Sequence, residues 1–148
     1  MIVKWLAHIC RFGLAGLFLF AVVAKIYSLS DPTQNFFKNM SGLVPERWAM
    51  PVAVAVVIAE LIAAALLIRV RTARVGALWA AGLLLGFAGY ALYFRYGLHI
   101  TEGPECGCFG GIIKSQLGVA TALRNLAFLI PAIVVIVGLK KQRLETRG

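Results

Sequence analysis

The sequence predicts an all-α, integral membrane four-helix bundle with up-down topology, in a single domain over residues 1–148. Composition is the first reason. Of the 148 residues, 61% are hydrophobic and only 14% charged, where a soluble domain carries about a quarter charged residues. Mean hydropathy is +0.86, so lipid is the solvent for much of the surface. The second reason is four apolar runs, at about residues 8–28, 51–68, 75–94 and 117–139. Each is long enough to cross a bilayer core of about 30 Å at 1.5 Å per residue. The third is where the charge lies. The formal net charge is +9, but the basic residues fall at the ends of the apolar runs and form no basic face, which excludes nucleic-acid binding.

The first run opens between Lys4 and Arg11 with an interfacial Trp5, continues from Phe12 to Ala24, and ends at Lys25, which can snorkel. A cleavable signal peptide is the competing reading, with Val22-Val23-Ala24 before the cleavage point. Three further spans that need a packing partner favour a retained helix. Gly13 and Gly16 predict close helix packing.

Residues 29–50 are the longest polar stretch. Asp31-Pro32 reads as a helix start, and Phe36, Phe37 and Met40 share one face. This predicts a short amphipathic segment in the first outer loop, lying along the membrane surface. It serves as a cover or as a lid near the cysteines. Pro51 opens the second span in a first-turn position. That span carries Glu60 near mid-depth, where a carboxylate is costly unless paired or protonated. In the third span Gly76, Gly82, Gly86 and Gly89 predict a closely packed face. The fourth carries Arg124 and Asn125 within its first two turns.

Basic residues set the orientation. Lys4, Arg11, Arg69, Arg71, Arg74, Lys140, Lys141, Arg143 and Arg147 fall on one side with Glu145. Lys25, Lys38, Arg47, Arg95, Lys114 and Arg124 fall on the other, offset by Asp31, Glu46, Glu102 and Glu105. The nine-to-six split predicts cytoplasmic N- and C-termini and an outward-facing connection between the third and fourth spans.

That connection holds Glu105-Cys106-Gly107-Cys108-Phe109-Gly110-Gly111. Outside the cytoplasm a disulfide persists. Residues two apart can be bridged, and Gly107 removes the side chain that would resist the bend. The small ring is strained, and strained disulfides are the reducible ones. A bridge this short restrains little chain, which argues against a purely structural role. His99, Arg95 and Lys114 are near in sequence and favour a thiolate, while Glu102 and Glu105 oppose it. His99 reads more readily as an interface residue than as a base. Cys10 is expected near the opposite face, as a small buried hydrophobe.

Counting residues down each helix puts Glu60, Arg124 and Lys25 in the outer half of the bundle, beneath the cysteine loop. A Glu60–Arg124 or a Glu60–Lys25 pair would lower the cost of burial. Such a pair is either a structural bridge or a polar floor that tunes the thiols or moves protons.

Four pieces of sequence together carry a family resemblance. They are Ala24-Lys25-Ile26 closing the first helix, Glu60 inside the second, Cys106-Gly107-Cys108-Phe109-Gly110, and Leu123-Arg124-Asn125 opening the last. Nearly the whole chain resembles the DoxX/MauE group of small redox-associated four-helix membrane proteins, on the MauE side. The resemblance implies a bacterial inner-membrane protein. It also implies a periplasmic thioredoxin-fold partner and a role in maturing a disulfide-rich secreted enzyme of the methylamine dehydrogenase type. Cys106 and Cys108 would be the redox pair.

The leading expectation is thus thiol–disulfide exchange: a partner thiolate attacks one sulfur of the pair, and a second thiol resolves the mixed disulfide. Continuous turnover needs a further redox partner, for which a membrane quinone is the candidate, although the sequence holds no quinone motif. The alternative is transfer of a soft metal, Cu(I) or Hg(II), on Cys106 and Cys108 with His99 or Met40. A third reading is a noncatalytic membrane subunit. A proton path through Glu60 is weaker, since a single buried acid among basic neighbours makes a poor relay.

Overall fold

The computed structural model describes residues 2–29, 44–97 and 119–145, and the elements in them are helices. Helix α1 spans Ile2–Leu29 and α2 spans Glu46–Ile68. Helix α3 spans Ala73–Leu92 and ends in a π-helical turn at Tyr93–Gly97. The fourth span is two helices, α4 (Val119–Ala127) and α5 (Leu129–Glu145). Four stretches are long and apolar enough to cross a membrane: Trp5–Tyr27, Arg47–Ile68, Ala73–Gly97 and Val119–Leu139. Exposed aromatic residues mark their ends, with Trp5 at one end and Tyr27, Trp48, Tyr93 and Tyr96 at the other, as an interfacial belt requires.

Successive spans run antiparallel and form a closed ring. Helix α1 packs on α2, α2 on α3, and α3 on α4 and α5, while α5 returns to α1. Helix α1 is packed along its length. Its buried positions, Ala7, Arg11, Leu14, Phe18, Ala21, Val22 and Lys25, recur every three or four residues and form one stripe. The core joins all four spans through Leu14, Phe18, Ala63, Leu67, Leu84 and Val135. Cys10 is half-buried against that core and free. Outward-facing positions on α2, such as Val54, Ile58, Leu61 and Ile62, are also large and apolar. A protein in water exposes no continuous apolar surface of this kind.

The turn joining α2 to α3 is short and fully bonded. The Thr72 hydroxyl donates to the Leu66 carbonyl at 3.0 Å, satisfying one acceptor left over at the end of α2. Gly76 N–H donates to the Thr72 carbonyl at 2.9 Å. A Cβ on Gly76 would lie 2.8 Å from the Leu66 carbonyl carbon, the Leu66 Cβ and the Leu67 nitrogen. Only glycine lets α3 start this close to α2. Further along, Trp79 Nε1–H donates to the Ala59 carbonyl at 3.0 Å.

Four expectations need correction. Gly13, Gly16, Gly82, Gly86 and Gly89 do not line a packed face: a Cβ on any of them would meet nothing within 4 Å. The close approach is made by alanines, Ala73, Ala77, Ala80, Ala88 and Ala91 on α3, and by Gly76. Pro51 does not begin α2. Pro45 flanks the helix start, with its carbonyl accepting from Trp48 N–H at 2.7 Å, and Pro51 lies inside. Arg11 does not flank the span but is buried within it, its guanidinium 4.5 Å above the Phe12 ring. The fourth span, read as one helix, breaks at Phe128. Pro131 explains the break, since it has no N–H for the Ala127 carbonyl and its ring crowds that oxygen. The amphipathic segment expected in the first outer loop lies outside the described residues.

Candidate functional site

Apart from Arg11 near the other end, the buried polar residues among those described are Lys25, Glu60, Thr121 and Asn125, on α1, α2 and α4. The Lys25 side chain leaves α1 one turn before its end and reaches toward the bundle centre, in the direction in which helical Cα–Cβ bonds lean. Its Nζ donates to Glu60 Oε1 at 2.7 Å and to Oε2 at 2.9 Å. Both residues are 1% exposed. The ammonium also stands 5.5 Å from the centre of the Phe87 ring on α3, a range in which the ring's negative face attracts a cation. A carboxylate bonded at both oxygens is well matched, and the pair carries no net charge into the membrane interior.

The sequence left Glu60 a choice of two cations, and the ring order of the helices decides it. Helices α1 and α2 are neighbours, whereas α4 packs mainly on α3. Arg124, on α4, is half-buried. Its neighbour Asn125 faces inward and is 4% exposed, and Thr121, one turn earlier, is also buried. Sequence reading missed Thr121, although its spacing of four from Asn125 is the signal that would have found it. Phe87 was missed too, because a phenylalanine in an apolar span carries no mark of its role as a cation's neighbour.

Glu60 and Asn125 line one interior cavity, whose apolar walls include Phe18, Leu84, Phe87 and Phe128. It has about 20 Å³ of room, enough for a water-sized molecule and far too little for a quinone ring. Among the described residues there is no group of three or more His, Cys, Asp and Glu side chains that could hold a metal ion. Cys106, Cys108 and His99, with Met40 from the metal-binding alternative, lie outside the described residues. Of the nominated residues the structure thus joins Lys25 to Glu60 and puts Asn125 on the same cavity as Glu60. What this cluster can do chemically is hold charge: it fixes α1 to α2 and presents polar groups to the interior.

A family model described as "Methylamine utilisation protein MauE" matches residues 3–138. No curated protein and no solved structure matches the chain.

Proposed function

Since this chain belongs to the MauE family of methylamine utilisation proteins, we propose that it is a membrane thiol–disulfide redox protein, with Cys106 and Cys108 as its exchanging pair. The observation that carries this reading is the Cys106-Gly107-Cys108 sequence on the connection between the third and fourth spans. Those spans end at Gly97 and begin at Val119, at the end of the bundle toward which the buried Lys25–Glu60 pair lies. The four-span architecture supports the setting. Exposed Arg69, Arg71 and Arg74 at the opposite end support cytoplasmic termini and an outward-facing cysteine segment in the bacterial inner membrane.

The exchange balances without any further group. A thiolate of a reduced thioredoxin-fold partner attacks one sulfur of the Cys106–Cys108 disulfide. The S–S bond breaks, the other cysteine leaves as a thiolate, and a mixed disulfide forms. The partner's second thiolate then displaces the remaining cysteine. The partner leaves as a disulfide, two electrons poorer, and the Cys106–Cys108 pair becomes a dithiol. The partner in turn supports disulfide formation in a secreted enzyme of the methylamine dehydrogenase type.

The test is the oxidation state of the partner in cells carrying Cys106→Ser or Cys108→Ser. The expected result is accumulation of reduced partner in both, and a trapped mixed disulfide in one of them. An undiminished fraction of oxidised partner in both variants would sink the proposal.

A further inference from the structure

The cavity near the ion pair is lined by two polar residues, Glu60 and Asn125, and nothing among the described residues joins them. Asn125 is 4% exposed and lines the cavity, yet its Nδ2 has no hydrogen-bond partner among the described residues. Glu60 lines the same cavity. Lys25 donates one hydrogen bond to each oxygen, and a carboxylate offers about four acceptor positions, so acceptors are left over. An amide donor in a membrane interior with no partner is unfavourable, because lipid offers none. Purely apolar cavities stay dry, whereas those with polar walls and room for about one water fill.

From this geometry we propose that the cavity is an internal water site, occupied by one water that accepts from Asn125 Nδ2–H and donates to the Glu60 carboxylate. The size selects the ligand: about 20 Å³ admits a single water and no organic molecule. The charge selects it as well, because Lys25 already neutralises Glu60 and leaves no demand for a second cation. The water extends the Lys25–Glu60 pair to the fourth span, making a polar link that runs from α1 through α2 to α4. This site stands whether or not the cysteine pair exchanges thiols.

The test uses the full chain in lipid nanodiscs with ¹⁵N-labelled asparagine, the Asn125 side-chain amide being assigned from its absence in Asn125→Ser. Rotating-frame cross-relaxation from water to that amide is measured, where the sign separates dipolar contact from hydrogen exchange. A dipolar contact is expected in the unaltered protein. It should fall to background in Ala21→Val, which adds methyl groups at the cavity wall, with the helical circular dichroism retained. An Asn125 amide with no dipolar water contact in the unaltered protein overturns the proposal. So does a contact of full strength in folded Ala21→Val. Should that variant not fold, Leu84→Phe narrows the same cavity, and the spectrum of the unaltered protein decides on its own.

Discussion

Lys25 on α1 and Glu60 on α2, 35 residues apart in sequence, form a buried ion pair in which one ammonium bonds both carboxylate oxygens, at 2.7 and 2.9 Å. The pair sits in a mostly apolar interior whose other buried polar residues, among those described, are Arg11, Thr121 and Asn125. Removing one partner leaves the other as an uncompensated charge, a loss of about 3–5 kcal/mol for buried pairs. Lys25→Met and Glu60→Leu are each expected to destabilise the bundle by about this amount. The double variant should cost much less than the two single ones together, because no charge is left behind. Unfolding equilibria in detergent give the coupling, and strict additivity would show that the pair does not act as one unit.

The glycines of α3 divide into one that packs and others that do not. Gly76→Ala sets a Cβ 2.8 Å from α2 backbone atoms and should cost about 1–3 kcal/mol through overpacking. Gly86→Ala meets nothing within 4 Å and should be neutral or stabilise by up to about 1 kcal/mol, as alanine favours helix. Melting temperatures of the two variants should therefore move in different directions or by very different amounts. Equal losses would contradict the arrangement of α2 and α3.

The indole of Trp79 ties α3 to α2 through its bond to the Ala59 carbonyl, 3.0 Å long. Trp79→Phe removes the donor and keeps an aromatic ring. A loss of about 0.5–1.5 kcal/mol is expected, readable in the same unfolding experiments. No change in stability would mean that the bond contributes nothing.

The orientation has its own check. In a chain with all three cysteines replaced by serine, a single cysteine is introduced as Arg71→Cys on the exposed turn between α2 and α3. An impermeant thiol reagent should label it only after the cells are made permeable. Labelling in intact cells would invert the topology.

The sequence displayed its four spans because a bilayer imposes length and apolarity on each of them. It also displayed Glu60 and Lys25, since ionisable residues in a span turn inward. It did not reveal which cation pairs with Glu60, because that depends on which helices are neighbours. The glycines misled for a related reason. In lipid both faces of a helix are apolar, so Gly82 and Gly86 look the same from sequence whether they face a helix or an acyl chain. The inward faces are marked instead by alanines and polar residues at spacings of three and four, as in Ala49, Ala53, Glu60, Ala64 and Leu67 on α2. The break at Phe128 was visible as Pro131, which removes one main-chain bond from the middle of a span.

The central claim is that Cys106 and Cys108 form an outward-facing, reducible disulfide. The most direct measurement is alkylation in intact cells with a membrane-impermeant, mass-shifting thiol reagent, before and after mild reduction. The account predicts no shift before reduction and a shift of two reagent masses afterwards, abolished when both cysteines are serine. Free, accessible thiols in the resting protein would contradict a disulfide, and thiols that remain unlabelled after reduction would contradict an outward-facing pair.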